Sequence, residues 1–66
     1  MKIQVTFRNE KAARAVAEFC KRVTFDDAYR RTAGETEESR KTAAYEMLDG
    51  LADIESALNN AGLYVR

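Results

Sequence analysis

The chain has 66 residues with no histidine, proline or tryptophan and a single cysteine, and its 11 basic and 11 acidic residues cancel to a net charge of zero. This inventory excludes the usual zinc sites, which need several Cys or His ligands, and nucleophiles that a histidine activates. A phosphate-binding loop needs clustered glycines, and the three glycines of this chain are scattered. We therefore expect no enzymatic activity, no cofactor and no metal, and a function based on binding.

The small size of the chain predicts self-association. A domain of this length buries only about 60% of the surface of its unfolded chain, and Cys20 has no second cysteine for a disulfide. We expect one domain over residues 1–66 that is stabilised as a homodimer or by a partner. No apolar run approaches the ~20 residues that span a bilayer, and no secretory leader pattern is found. With one unpaired thiol, the chain is expected in the cytoplasm.

The first predicted element is a β-strand. Apolar residues hold the odd positions of residues 1–7 and polar residues the even ones: Met1, Ile3, Val5 and Phe7 against Lys2, Gln4 and Thr6. This alternation is typical of a strand with one buried face.

From Glu10 the apolar period becomes helical, with Asn9 as the expected N-cap. The apolar stripe of this helix consists of Ala12, Val16, Phe19, Cys20 and Val23, and the opposite face carries the i,i+4 series Glu10, Arg14, Glu18 and Arg22. Cys20 in the middle of the stripe indicates a small buried side chain rather than a reactive thiol.

Two further helices follow. Thr24 and Asp27 predict a capping box that restarts or bends the helix, which ends before Gly34. Thr36 is the expected N-cap of a long third helix that ends near Gly62. Its apolar stripe is Ala44, Met47, Leu48, Leu51, Ile54 and Leu58, and residues 63–65 are long enough for a short second strand. The predicted fold is α+β and mostly helical: strand, helix, short helix, long C-terminal helix and a possible C-terminal strand.

Charge is unevenly distributed along the chain. Residues 1–33 carry eight basic and four acidic side chains, and residues 34–66 carry three basic and seven acidic ones. We favour the interpretation that the two halves pack against each other, within one chain or across a dimer. The alternative is that the basic half meets an acidic partner.

A DNA-binding function is the alternative to protein binding. A strand followed by two helices resembles the ribbon-helix-helix repressors, which dimerise through that strand and insert its outward side chains into the major groove. Here those side chains are Lys2, Gln4 and Thr6. The long first helical region and the acidic C-terminal half do not fit that family.

The chain has a second resemblance to known proteins, which spans most of its length and is based on three segments. They are Phe19-Cys20-Lys21-Arg22-Val23-Thr24-Phe25, Ala44-Tyr45-Glu46-Met47, and Ala57-Leu58-Asn59-Asn60-Ala61-Gly62, followed by the terminal Arg66. The chain resembles short proteins of unknown function encoded by tailed phages and prophages. It departs from them in a longer stretch over residues 34–42 and in a tail without proline.

The phage resemblance implies a phage origin and supplies no catalytic residues. Together with the composition, it predicts a non-catalytic protein that binds a bacterial host protein. Inhibition of a host complex or of an anti-phage defence complex is one form that this function would take. The expected contact residues combine cations with aromatic side chains near the helix break: Lys21, Arg22, Phe25, Tyr29, Arg30 and Arg31.

Overall fold

The computed structural model describes residues 1–63 and consists of three helices over that range. Helix α1 spans Glu10–Arg22, α2 spans Phe25–Arg31 and α3 spans Glu37–Asn60. These helices agree with the three predicted from the sequence. No described helix combines the length and apolar character needed to cross a membrane.

The predicted cap and surface pairs of α1 are present. The Asn9 side chain accepts a hydrogen bond from the Ala12 backbone N–H at 2.8 Å. On the outer face Arg14 pairs with Glu10 at 2.8 Å and Arg22 with Glu18 at 2.7 Å. These four side chains are exposed, so each pair contributes only a few tenths of a kcal/mol.

The chain bends between α1 and α2 at a capping box. The Asp27 N–H donates to the Thr24 hydroxyl at 3.2 Å, and the Asp27 carboxylate accepts from the Thr24 backbone N–H at 3.0 Å. Two backbone N–H groups at the start of α2, which have no partner within the helix, are thereby satisfied. This local pair explains why the helical region is divided into two helices.

Helix α3 begins at a cap and ends in a Schellman motif. Thr36 and Ser39 exchange hydrogen bonds at the N-terminus of α3. At the other end Gly62 N–H donates to the Asn59 carbonyl and Leu63 N–H to the Leu58 carbonyl. Gly62 has a φ of +88°, which glycine adopts without the strain of a Cβ. The predicted stop of α3 is therefore confirmed.

Helices α1 and α2 each pack against α3 rather than against each other. The α1 contact is a cluster of Ala13, Ala17 and Leu58, with Phe7 and Leu63 partly buried beside it. The small side chains of Ala13 and Ala17 let the two helices approach closely. Helix α3 is thus the platform on which both shorter helices lie.

The α2 contact uses the N-terminal half of α3. The Phe25 ring lies 4.9 Å from the Tyr45 ring and 5.9 Å from the Tyr29 ring, measured between centroids. The Arg40 guanidinium lies 4.3 Å from the centre of the Tyr29 ring and donates to the Tyr29 carbonyl at 3.2 Å. This aromatic and cation–π cluster holds α2 on α3.

The predicted α+β fold with an N-terminal strand is wrong. Residues 1–7 precede α1 without forming a strand, and the described chain is all-helical. A strand needs a neighbour to satisfy its backbone groups, and residues 1–63 contain no second strand for residues 1–7 to pair with. The possible C-terminal strand was predicted over residues 63–65, of which 64 and 65 lie outside the described residues.

Candidate binding site

The C-terminal end of α1, helix α2 and the middle of α3 enclose a cleft of about 310 Å³. We call it the arginine cleft. It is lined by Phe19, Val23, Asp27, Ala28, Arg30, Arg31, Met47 and Leu51. The cleft exists because the capping box turns the chain between α1 and α2, so that the two helices diverge over α3.

Phe19 is the aromatic side chain of the arginine cleft. The apolar stripe predicts Phe19 to be buried, but 57% of its surface is exposed. The buried residues of α1 are Ala13 and Ala17, and Phe19 lies about 160° around the helix from Ala17. An exposed phenyl ring beside a cleft leaves apolar area available for a partner.

Arg30 and Arg31 supply the positive charge at the cleft. Both are exposed, and no ion pair with either is found among residues 1–63. The carboxylate of Asp27 is already engaged by Thr24. Hydrogen bonds from the Thr24 backbone and hydroxyl hold the pKa of Asp27 below its ordinary value, and Arg30 and Arg31 act in the same direction. The two guanidinium groups remain available to an anionic group.

The structure divides the six predicted protein-contact residues among three places. Arg30 and Arg31 line the arginine cleft, whereas Phe25 and Tyr29 belong to the cluster that holds α2 on α3. Lys21 and Arg22 are exposed on α1 and do not line the cleft; Arg22 pairs with Glu18. The clustering of cations near the helix break was predicted, but the aromatic residue beside them is Phe19.

A second, open groove of about 1250 Å³ runs between the N-terminal segment and α3. We call it the N-terminal groove. Its apolar lining includes Met1, Ile3, Val5, Phe7, Val16, Met47, Leu51, Ile54, Leu58 and Leu63. Ile3 is 74% exposed, Val5 63% and Ile54 42%. On the apolar face predicted for a strand, Met1, Ile3 and Val5 are therefore uncovered by the described chain, whereas Phe7 is partly buried.

Lys2, Gln4 and Thr6, the residues of the DNA-binding alternative, are all exposed. Lys2 and Gln4 line the N-terminal groove, and Thr6 does not. Because residues 1–7 form no strand, the described chain lacks the element on which that alternative depends. DNA binding itself stays a prediction.

Cys20 is half-buried on α1 and lines neither cavity. Burial and, to a smaller extent, the Glu55 carboxylate of α3 raise the pKa of its thiol. A raised pKa disfavours the nucleophilic thiolate. No group of three or more His, Cys, Asp or Glu residues among residues 1–63 is placed to hold a metal ion.

A family model matches this chain. No curated protein and no solved structure matches the chain. The family that does match carries no indication of phage or prophage origin, which stays a prediction. Its model covers residues 1–66, and the chain therefore belongs to this family of unknown function, DUF7706.

Proposed function

We propose that this chain is a non-catalytic binding protein that docks an acidic protein surface on the arginine cleft. The observation that carries the proposal is the combination of the half-exposed Phe19 ring with two exposed arginines that have no ion-pair partner among residues 1–63. Aromatic and arginine side chains are the residue types that contribute most to protein–protein binding energy.

In this proposal the apolar walls and the arginines of the cleft bind different groups of the partner. Its apolar walls, which include Phe19, Val23 and Leu51, receive one apolar side chain of the partner, for which about 310 Å³ is sufficient. Arg30 and Arg31 bind carboxylates beside that side chain, because a guanidinium donates two parallel hydrogen bonds to a carboxylate. The same charges raise the association rate with an acidic surface.

The partner class follows from the resemblance to small phage proteins. On that hypothesis the partner is a protein of the bacterial host, the site of action is the host cytoplasm, and binding blocks a host or anti-phage defence complex. The arginine cleft supports a protein contact of this kind without identifying the complex.

The experiment uses three forms of the tagged chain as bait in bacterial lysates. On the phage hypothesis these are lysates of the bacterium that the phage infects. The forms are the wild type, Phe19→Ala, and the charge reversal Arg30→Glu with Arg31→Glu. We expect a protein that the wild type retains to be lost with both variants, because each removes one half of the contact. Binding of the purified partner should weaken by at least about 10-fold in each variant.

The matched control is Arg8→Glu with Lys11→Glu, which makes the same charge change at exposed positions outside the arginine cleft. It should retain the partner. If both cleft variants retain the same proteins as the wild type, or if the control loses them equally, the cleft is not the contact. Salt-sensitive binding of duplex DNA that Lys2→Ala with Gln4→Ala abolishes would support the DNA-binding alternative instead.

A further inference from the structure

We propose that the N-terminal groove is the interface with a second copy of this chain. The groove is defined by the exposed side chains of Met1, Ile3 and Val5 on one side and Ile54 on the other. Residues 1–63 leave these four side chains exposed. This inference does not depend on the function of the arginine cleft.

The accessible surface of the chain is larger than a monomer of its mass requires. It amounts to 5660 Å² for 7.5 kDa, whereas a compact monomer of that mass exposes about 4200 Å². The difference of about 1400 Å² per chain exceeds the ~800 Å² that each partner buries in a standard interface. A second copy on the N-terminal groove therefore has enough surface to bury.

The radius of gyration leads to the same conclusion. It is 13.3 Å, against about 11 Å for a compact domain of 66 residues. The reason is that the 24 residues of α3 carry only two short helices, which leave the groove side of α3 open. Pairing two such chains along α3 gives a more compact particle than either chain alone.

The charges around the groove suit a two-fold contact. Lys2 and Asp53, which have opposite charges, both line it, so each copy in a two-fold dimer contributes a cation and a carboxylate to the contact. The net charge of the chain is zero, so that no overall repulsion opposes self-association. An unrelated partner would have to match this pair by chance, whereas a second copy supplies both charges.

Gly50 is a further feature that a second copy explains. It lies in the interior of α3 and lines the N-terminal groove, and apart from its own helical neighbours no atom of residues 1–63 comes within 4 Å of a Cβ placed there. Glycine is unfavourable inside a helix unless another backbone approaches closely. In the proposed dimer, the α3 helix of the second copy approaches closely at Gly50, where no side chain separates the two backbones.

Sedimentation equilibrium between about 1 and 100 μM tests the proposal. The wild type should sediment at twice 7.5 kDa. Ile3→Glu and Ile54→Glu should each weaken self-association by at least about 100-fold, because each buries a carboxylate in the apolar contact. Ile3 lies outside the helices, so Ile3→Glu should keep the helical circular dichroism of the wild type even if Ile54→Glu does not.

Ala52→Glu is the matched control, because Ala52 is exposed on α3 outside the N-terminal groove. It should dimerise as the wild type does. The proposal is overturned if the wild type stays at 7.5 kDa up to about 100 μM. A folded Ile3→Glu variant with undiminished dimerisation overturns it as well, as does a control that dissociates like Ile54→Glu.

Discussion

Two adjacent residues of α1, Phe19 and Cys20, differ in how much of their side chains is buried. Cys20 and Phe19 are neighbours on the same predicted stripe of α1, yet Cys20 is half-buried and Phe19 is mostly exposed. The carboxylate of Glu55 influences Cys20 from α3. The thiol is thus partly removed from solvent, whereas the phenyl ring is mostly exposed.

The raised pKa of Cys20 predicts slow alkylation of the native protein. Iodoacetamide should modify the thiol more slowly in the folded chain than in denaturant, and the midpoint of the rate-against-pH curve should be higher in the folded state. Glu55→Gln should lower that midpoint and speed native labelling. Identical pH–rate curves for folded and unfolded protein would contradict this prediction.

The raised pKa of Cys20 also makes the free energy of unfolding depend on pH. Because the folded pKa lies above the unfolded one, the contribution of Cys20 to stability is fully present below the unfolded pKa, about 8.5. It is lost as the pH rises through the folded pKa. Urea unfolding above pH 9 or so should therefore show a loss of stability that Cys20→Ala lacks.

Helix boundaries in this chain depend on local side-chain caps. Asn9, Thr24 and Thr36 each cap a helix with the side chain, and Thr24 and Thr36 do so through a two-way box. Such caps need only residues within one turn, so tertiary packing is not required to form them. Helix α2 has seven residues and depends most on its cap.

Removing the cap of α2 should destabilise the fold and change its response to acid. Thr24→Ala should cost about 1 kcal/mol of unfolding free energy, measured by urea titration at neutral pH. In the wild type the lowered pKa of Asp27 means that its contribution is present above the unfolded carboxyl pKa, about 4. It is lost as the pH falls through the folded pKa.

The difference between Thr24→Ala and the wild type should therefore shrink on acidification. Asp26→Asn is the control, since Asp26 is the adjacent carboxylate of α2 and takes no part in the box. It should leave the effect of Thr24→Ala unchanged. A difference that stays constant from neutral pH down to about pH 2 would show that the Asp27 carboxylate does not act through the cap.

The molecule as a whole has a small core. Of residues 1–63 only five hydrophobic residues are buried, and four of them are alanines: Ala13, Ala17, Ala28, Ala44 and Leu58. Larger apolar side chains, Phe19 and Ile54 among them, remain partly or mostly exposed. A core of this kind supports only a marginal monomer, which is the physical reason to expect burial against other chains.

Truncation of Leu58 should unfold the chain far more readily than truncation of Phe19. Leu58 is 5% exposed and belongs to one core cluster with both buried alanines of α1, so Leu58→Ala should cost about 2–4 kcal/mol. Phe19→Ala should cost less than about 1 kcal/mol because its ring is mainly in solvent. Urea melts followed by circular dichroism measure both. Equal losses would mean that Phe19 belongs to the core.

Much of the fold was predictable because its signals are local. The caps at Asn9, Thr24 and Thr36 and the stop at Gly62 all lie where the sequence placed them, since each needs only neighbours within a few residues. Arg30 and Arg31, two of the predicted contact residues, line the arginine cleft, and their contact with a partner stays a prediction. Their positions near the helix break follow from chain distance alone.

Features that depend on distant partners were not predictable. Alternation over residues 1–7 indicates one apolar face, but a strand also needs a second strand to pair with, and the described chain has none. Periodicity likewise placed Phe19 on the apolar stripe of α1, whereas the residues that meet α3, Ala13 and Ala17, lie outside that stripe. Close helix packing selected Ala13 and Ala17 for the contact and left Phe19 outside. Local side-chain chemistry thus set where the helices begin and end, and long-range packing set which apolar side chains stay exposed, because burial depends on what lies opposite in space.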